Sequence, residues 1–438
     1  MVNRNEKNGC RKGACFFLWL QKRCFILLIV PVRWYQIQKK EIETKYTQRK
    51  GNFMETKSFA TRAEWKKADN PKKEGKHIIG LDLGYSGAKG FYENGYFCIP
   101  NFSAPITEDL FGSLHDGDIV YENLKTKKKY FVGKAAIESL ESGSVVDESA
   151  MLDRNHYLSA EYLVLVHTSI GMALWDTKTD GTDVVIQTGL PPAYLREDEP
   201  LIRSVLEGEH IYKLTIGNES RRFHYTLRHD NVDVMRQPMG TYYSVVFGPD
   251  GKPTQRLGQF MKSNIIIFDG GFGTLDKFII KNRGRQSVSD TEPQLGMKRV
   301  FSEARDMIEK DFNVSISIPA MQNCLETGMF QKIDRIALKT NEYPVNKYIE
   351  QANEMVREEA FDYIKNDLAS AQFLIMSGGT GAAWYDYFCE RTKFLKNLQV
   401  LEGNYGSGLL GIYSNARGYY MAQHQNNKAI RGILHYEV

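Results

Sequence analysis

The sequence is poor in the features that stabilise small secreted scaffolds. It has six cysteines in 438 residues. Three of them, Cys10, Cys15 and Cys24, crowd into the first 24 positions. The others, Cys98, Cys324 and Cys389, lie far apart. That spacing gives neither a disulfide framework nor a zinc site, and it points to a reducing cytoplasm. There is no uninterrupted apolar run of membrane length either. The longest stretch, residues 15–32, is split by Gln21, Lys22 and Arg23. A span needs about 20 apolar residues, and each central Lys or Arg costs about 2.5–3.5 kcal/mol, so no membrane segment is expected. No small-x-small cleavage site follows, which argues against a signal peptide. Proline (13) and glycine (37) are too few for a collagen-like or disordered chain. What remains is an ordinary globular composition, 42% hydrophobic and 25% charged, long enough for two to three domains or two large halves.

The net charge of +4 suggests contact with nucleic acid until its distribution is read. Residues 1–53 carry 12 of the 57 Lys and Arg and 3 of the 53 Asp and Glu, a net +9. That leaves a net −5 for residues 54–438. The basic character, half the cysteines and the membrane-like stretch all belong to the head. Residues 49–51 (Arg-Lys-Gly) can be encoded by purine-rich codons resembling a ribosome-binding site just before Met54. Translation from Met54 is therefore expected, with 1–53 an upstream frame read through. Residues 55–76 are polar and read as a flexible lead-in, so 1–76 is set apart as an extension.

The body alternates strand and helix signals, an α/β pattern. Residues 77–83 (HIIGLDL) read as a buried strand, with a turn at 84–87 and a return strand at 88–92. Residues 157–175 fit a buried helix. Residues 183–187 read as a strand ending in a loop at 188–192. Residues 210–216 and 221–236 alternate like antiparallel strands. A further buried strand at 264–269 leads through a glycine-rich turn to 277–281. Helical periodicity covers 296–312 and 346–368, and 373–376 is a short strand. No internal repeat is legible.

Three glycine-rich turns each follow an apolar strand. They are residues 82–89 (Asp82, Leu83, Gly84, Tyr85, Ser86, Gly87, Ala88, Lys89), residues 269–276 (Asp269, Gly270, Gly271, Phe272, Gly273, Thr274, Leu275, Asp276) and residues 377–381 (Ser377, Gly378, Gly379, Thr380, Gly381). Glycines let backbone N–H groups approach phosphate oxygens closely. A carboxylate at the strand end can hold Mg²⁺, usually through waters, and the metal bridges to phosphate. None is a Walker A loop, and the first two read as hairpin tips able to clamp a triphosphate from both sides.

This set resembles the actin-type ATPase superfamily of actins, DnaK-type chaperones and sugar kinases. Residues 188–191 (TGLP), 237–240 (QPMG) and 415–419 (NARGY) make it similar to the ParM-like actins of bacterial plasmids. The resemblance covers about 77–425. It implies the actin-like ATPase fold, two duplicated α/β domains around a central nucleotide cleft, with 77–240 plus 411–438 as the first and 241–410 as the second. It implies ATP or GTP with Mg²⁺ as cofactors. Asp82 and Asp269 would orient the metal and its waters, and Lys89 would neutralise phosphate charge among the amides of Gly84, Tyr85, Ser86, Gly271, Phe272 and Gly273. Gly378, Gly379, Thr380 and Gly381 would receive the adenosine, with the helix from Gly296 on its other side. Gln237 stands where the attacking water is positioned; many relatives have Glu there, and Gln can orient water but takes no proton. Thr274 or Asp276 would touch the metal or its waters, or Asp276 is a solvated hairpin residue.

The implied activity is nucleotide hydrolysis coupled to a polar filament in the cytoplasm. The filament would segregate plasmid DNA through an adaptor protein on a centromere-like site, with no direct nucleic-acid binding and no membrane. The alternatives are a sugar or carboxylate kinase, for which no catalytic Asp stands out, and a nucleotide-binding switch that does not polymerise. His156, His167 and His224 read as core or surface residues, residues 125–129 (KTKKK) as a solvated turn, Trp175 and Trp384 as packing, and 415–419 as a structural segment closing the chain onto its first half.

Overall fold

Two sheets of one plan organise the chain. The computed structural model describes residues 59–107, 114–139, 157–177, 183–334 and 336–425. The readings made for residues 1–53 and His156 lie outside them. The chain runs β1 (Glu64–Lys67), β2 (Lys76–Leu83), β3 (Gly87–Tyr92), β4 (Gly95–Pro100), β5 (Ser103–Pro105), β6 (Ile119–Asn123), β7 (Lys129–Val132), α1 (Lys134–Glu138), α2 (Ala160–Ala173), β8 (Asp183–Leu190), α3 (Leu195–Leu206), β9 (Gly208–Ile216), β10 (Glu219–Leu227), β11 (Val232–Arg236) and α4 (Gln237–Val246). It continues α5 (Gln255–Phe260), β12 (Ile265–Gly270), β13 (Leu275–Lys281), β14 (Arg285–Glu292), α6 (Met297–Phe312), α7 (Ile318–Asn323), β15 (Met329–Asp334), β16 (Lys339–Pro344), α8 (Asn346–Leu368), β17 (Phe373–Ser377), α9 (Gly378–Thr392), β18 (Gln399–Glu402) and α10 (Ser414–Gln425).

The first sheet has the order β1-β4-β3-β2-β8-β11 and the second of the pair β14-β13-β12-β17-β18. In both, a three-stranded antiparallel meander continues into two parallel strands. This duplication is invisible as a sequence repeat because hydrophobic identity can vary while strand direction is kept. A third sheet, β10-β9-β6-β7-β5, is wholly antiparallel. The central strands bury both faces, as strands flanked by helices must. Ile79 and Leu81 of β2 enter one core with α2, and Ile78 enters another with α4, α10 and the inner face of the second sheet. Among the described residues no helix is long and apolar enough to cross a membrane.

Three expectations need correction. Residues 59–76 are not a flexible lead-in: β1 pairs with β4, Trp65 Nε1 donates to Tyr92 Oη at 2.6 Å, and Asn70 Nδ2 donates to Tyr92 O at 2.6 Å. Thr188, Gly189 and Leu190 belong to β8 rather than a loop. Residues 221–236 are not one strand, because a 3₁₀ turn at His229–Asn231 sends β11 into the first sheet. The 188–190 and 232–236 segments were obscured by their polar Thr188, Asp233 and Arg236. The third glycine-rich turn passes directly into a helix, α9. The β15–β16 hairpin has no counterpart among the sequence readings.

The last helix packs tightly on α4 and reaches β8 and β11. Its Gly418 lies against Gly240 of α4 so closely that a Cβ would overlap the Gly240 carbonyl. Buried Arg417 donates to the Ser244 and Phe247 carbonyls at the C-terminal end of α4. Gln423 Nε2 donates to Gln187 Oε1 and Asp233 Oδ2, both at 2.8 Å. An Ala for Gly exchange in an open helix gains up to about 1 kcal/mol. Gly258 of α5 has open space around it, so Gly258→Ala is expected to stabilise. Gly418→Ala is expected to lower unfolding free energy by about 3 kcal/mol through overpacking. Urea denaturation of the two variants checks the opposite signs.

His167 is a core residue, as read, and it belongs to a buried chain of hydrogen bonds. Tyr121 Oη lies 2.9 Å from His167 Nδ1, His167 Nε2 lies 2.8 Å from His210 Nδ1, and His210 Nε2 lies 2.8 Å from Leu206 O. The carbonyl end fixes every tautomer: His210 Nε2–H donates to it, so His210 Nδ1 accepts, and so on back to the Tyr121 hydroxyl. This leaves one proton on each ring, the neutral form that burial favours for both. Burial lowers the His167 pKa to about 3. Between that value and 6.5 the unfolded chain binds the extra proton, so stability falls as pH falls through this window and is flat above it. Relative to His167→Phe, the wild-type protein should lose about 2–3 kcal/mol of advantage between pH 7 and pH 4.5, taking about 1.4 kcal/mol per pH unit. Denaturation at several pH values checks it; a constant difference would show that the ring is not buried neutral.

Candidate active site at the meeting of three turns

The β2–β3 hairpin opposes Asp82 to Lys89 in register, and Lys89 Nζ lies 3.2 Å from Asp82 Oδ2. Gly84 sits under that ammonium, where a Cβ would come within 2.7 Å of Nζ. The tip is held from the side by Asn101, whose Nδ2 donates to Gly84 O at 2.8 Å. The β12–β13 hairpin has the same plan, with Asp269 opposite Asp276. β17 lies parallel on the other side of β12 and brings Ser377 level with Asp269.

The three turns touch. The Tyr85 ring of the first packs against Gly273 of the second, leaving no room for a Cβ there. Thr380 of the third donates from Oγ1 to Gly271 O at 2.6 Å. Gly378 adopts φ +76°, and its Cβ position is occupied by Gly270 O, so only glycine fits. The second turn also rests on the start of α6: Phe272 O accepts from Lys298 N at 2.7 Å, and Gly296 has no room for a Cβ beside it. Two amides expected to face phosphate close their own turns instead. Gly84 N–H donates to Gly87 O at 3.2 Å, and Gly271 N–H to Thr274 O at 2.9 Å.

Asp82, Asp269 and Asp276 are all buried. Asp269 accepts from Ser377 Oγ at 2.9 Å and from Asn415 Nδ2 at 2.8 Å. Burial nevertheless pushes its pKa up to about 6; the Asn415 bond opposes that rise and the nearby Asp82 charge adds to it. Burial, then the Asp269 charge, drives Asp276 well above the usual carboxylate range. Both Asp276 oxygens lack a donor at bonding distance. Thr291, its cross-strand neighbour, is near enough to temper the shift but not to complete a bond. So Asp276 is not a solvated hairpin residue. Burial works against the Lys89 ammonium, yet Asp82 and other neighbours hold its pKa above the ordinary value. Among the described residues no three acidic, His or Cys side chains close on one point as direct metal ligands would. The donor set, three buried carboxylates beside one lysine, suits a divalent cation bound through waters.

Gln237 starts α4, half-buried, at the same end of the first sheet. One turn on, Thr241 Oγ1 donates to Asn415 Oδ1 at 2.8 Å, and this Asn415 is the donor to Asp269. Positions i and i+4 share a helix face, so Gln237 stands on the side of α4 that leads to Asp269. Asn415 and Tyr419 were read as structural, and both reach the site. Tyr419 fits against Gly189 and Gly240, where no Cβ could be placed. Burial first, then Asp82, Asp269 and Asp276, pushes its hydroxyl pKa well up. The paired glycines Gly189 and Gly240 were the available sequence signal: together they make room for one ring.

Residues 80–240 match a family model described as the N-terminal domain of actin-like proteins. No curated protein matches the chain. Among solved structures, a non-polymerisable quadruple mutant of pCBH ParM is 18% identical with a TM-score of 0.63, and the alignment covers 80% of this chain and 99% of that one. A 15-stranded ParM filament from Clostridium botulinum is 17% identical with a TM-score of 0.61 over the same shares. The archaeal actin homologue Ta0583, in complex with ADP, is 17% identical with a TM-score of 0.52, again over 80% and 99%. The fold is the actin-like ATPase fold, and the resemblance to ParM-like bacterial actins holds in three dimensions.

Removing the Asn415 donor tests the electrostatics. Asn415→Ala should raise the Asp269 pKa further and destabilise the protein by about 1–3 kcal/mol at pH 7.5, where the carboxylate is charged and under-solvated. Below the folded pKa of about 6 the proton is bound in either protein. The loss should therefore shrink towards pH 5. A loss independent of pH, measured by urea denaturation, would remove Asn415 from the support of that charge.

Proposed function

We propose that this chain is an actin-like ATPase whose nucleotide cycle drives assembly of a polar filament, and that the filament segregates plasmid DNA through an adaptor protein. The observation that carries the reading is the convergence of three turns, from two sheets of one plan, on Asp82, Lys89 and Asp269. Residues 77–240 with 411–438 form one half and 241–410 the other, and ATP or GTP with Mg²⁺ binds where the halves meet. When bound, Mg²⁺ would supply positive charge to offset that of the phosphates. Asp82 and Asp269 would hold it through waters, and Asp276, whose oxygens have no donor, would be a third acceptor. A cation there would favour the charged form of Asp269 and so lower its raised pKa.

Lys89 neutralises charge developing on the transferred phosphoryl group. Ser86, Phe272 and Gly273 offer amides at the turn tips, beside Tyr85. Gly84, Gly87, Gly270, Gly271 and Thr274 shape the turns that present them. Gly378, Gly379, Thr380 and Gly381 receive the nucleoside at the start of α9. Gln237 orients the attacking water by hydrogen bonding, without taking its proton. Ligand bridging two halves favours their closed arrangement, so loss of the terminal phosphate shifts that balance. The net −5 of residues 54–438 favours an adaptor over direct DNA contact and fits a cytoplasmic protein.

The test is sedimentation and light scattering with Mg-ATP, Mg-GTP or EDTA, alongside phosphate release. Nucleotide-dependent pelleting is expected. Asp269→Ala should reduce phosphate release at least 100-fold, and unchanged turnover would remove Asp269 from the metal site. A protein that stays monomeric at tens of micromolar in all three conditions is not a filament protein, and phosphoryl transfer to a sugar would make it a kinase.

A further inference from the structure

The two sheets of one plan end in matching rows of side chains. In the second sheet, β17 runs parallel to β12 and sets Ser377 level with Asp269, and Ser377 Oγ donates to Asp269 Oδ1 at 2.9 Å. In the first sheet, β8 runs parallel to β2 and sets Thr188 level with Leu81. The next residues along are Asp82 and Gly189. Successive residues of a strand face opposite sides, so these two face one side together. It is the side on which Gly80 lies against Ala416 of α10. Gly189 therefore stands where Ser377 stands in the other sheet, and it has no side chain to offer.

Tyr419 fills that place from outside the sheet. A Cβ on Gly189 would coincide with Tyr419 Oη. The hydroxyl thus lies on the β8 flank of Asp82. The other flank belongs to β3, where Lys89 Nζ is 3.2 Å from Asp82 Oδ2. Asn415, one turn earlier on α10, shares the helix face with Tyr419 and donates to Asp269. One face of α10 so turns a polar group towards the carboxylate of each sheet.

The two groups differ in one respect. Asn415 reaches its carboxylate, whereas Tyr419 is fully buried and its Oη has no hydrogen-bond partner. Both oxygens of the buried Asp276 also lack a donor. Packing does not explain the hydroxyl, because a phenyl ring would fill the space between Gly189 and Gly240 equally well. An unpaired buried donor is costly, and unpaired acceptors in the same site make a setting for a bridging water. Burial and the charges of Asp82, Asp269 and Asp276 keep the hydroxyl protonated, so it is available as a donor.

We propose that Tyr419 is a positioning residue for the divalent cation: its hydroxyl donates to a water of the cation's shell beside Asp82, the part that Ser377 plays by direct contact towards Asp269. The water's own hydrogens go to the carboxylates, and its second lone pair faces the cation. This inference rests on the metal reading of the site and adds a residue to it.

Tyr419→Phe is the test, because it keeps the ring and removes only the oxygen. Affinity for Mn²⁺, standing in for Mg²⁺, is measured by electron paramagnetic resonance with ADP present, and stability by urea denaturation in EDTA. The variant should bind Mn²⁺ about tenfold more weakly, the equivalent of one hydrogen bond. In EDTA it should be at least as stable as wild type, since the hydroxyl then has nothing to bond. Equal Mn²⁺ affinity overturns the role of the hydroxyl and leaves the metal reading standing. A variant destabilised in EDTA also overturns it, because the hydroxyl then serves the fold through a protein partner. A wild type that binds no Mn²⁺ beyond that held by free ADP overturns both.

Discussion

A carboxylate buried where two sheets meet is the constraint on which the rest of this structure depends. Asp269 cannot be solvated, so its two oxygens need protein donors. One comes from Ser377 on the neighbouring strand and one from Asn415 on the last helix. Asn415 is itself fixed by Thr241 of α4. One ionisable group thus ties together the second sheet, the helix that follows the first sheet, and the C-terminal helix. Even with both donors its pKa stays up near 6, chiefly because it is buried and in part because the Asp82 charge lies close by. The site is a concentration of negative charge that the fold supports only partly, with Lys89 as the cation bonded to Asp82. Such a site is unfinished without additional positive charge, and that is why a divalent cation suits it.

Steric constraint accompanies the electrostatic one. The three turns approach so closely that glycine is required at Gly270, Gly273, Gly296 and Gly378, and each is blocked by a group of another turn or of the α6 start. These glycines do two jobs. They bring backbone polar groups together, and they leave the turns no independent freedom. Movement of one tip has to be accommodated by the others, because Tyr85 lies on Gly273 and Thr380 holds Gly271.

Much of this was legible because local chemistry is strong where strands end in glycine turns. Residues 77–83, 264–269 and 373–376 are apolar runs bounded by turn residues, and each is a strand. Asp82 and Asp269, read at the ends of the first two, are buried in the structure, and Asp82 lies near enough to raise the Asp269 pKa. Long-range pairing was not legible. Nothing in residues 415–419 says that Asn415 will meet a carboxylate 146 positions away, or that Tyr419 will need the space left by Gly189 and Gly240. The β15–β16 hairpin was missed for a different reason. Its strands bury no residue fully, so they carry no burial alternation, and their register comes from the turn at Asp334.

The helix α6 gives the site a physical connection to the hairpin. At its start, Lys298 N bonds to Phe272 O of the second turn and Gly296 is pressed against the same carbonyl. At its end, Phe312 packs on Tyr343 of the hairpin and on Tyr348, whose hydroxyl donates to Asp311 at 2.6 Å. Along its length, Arg299 makes a two-pronged bond to Glu359 of α8. A helix of 16 residues is on the order of 24 Å long and does not compress. A displacement of Phe272 can therefore be absorbed at the site only by breaking the tight glycine contacts. The alternative is to carry it as a rigid shift to the base of the hairpin. The second route keeps the backbone hydrogen bonds and the aromatic packing intact, and it is the cheaper one. In this fold, the second glycine-rich turn and the β15–β16 hairpin are joined to two ends of the same stiff element.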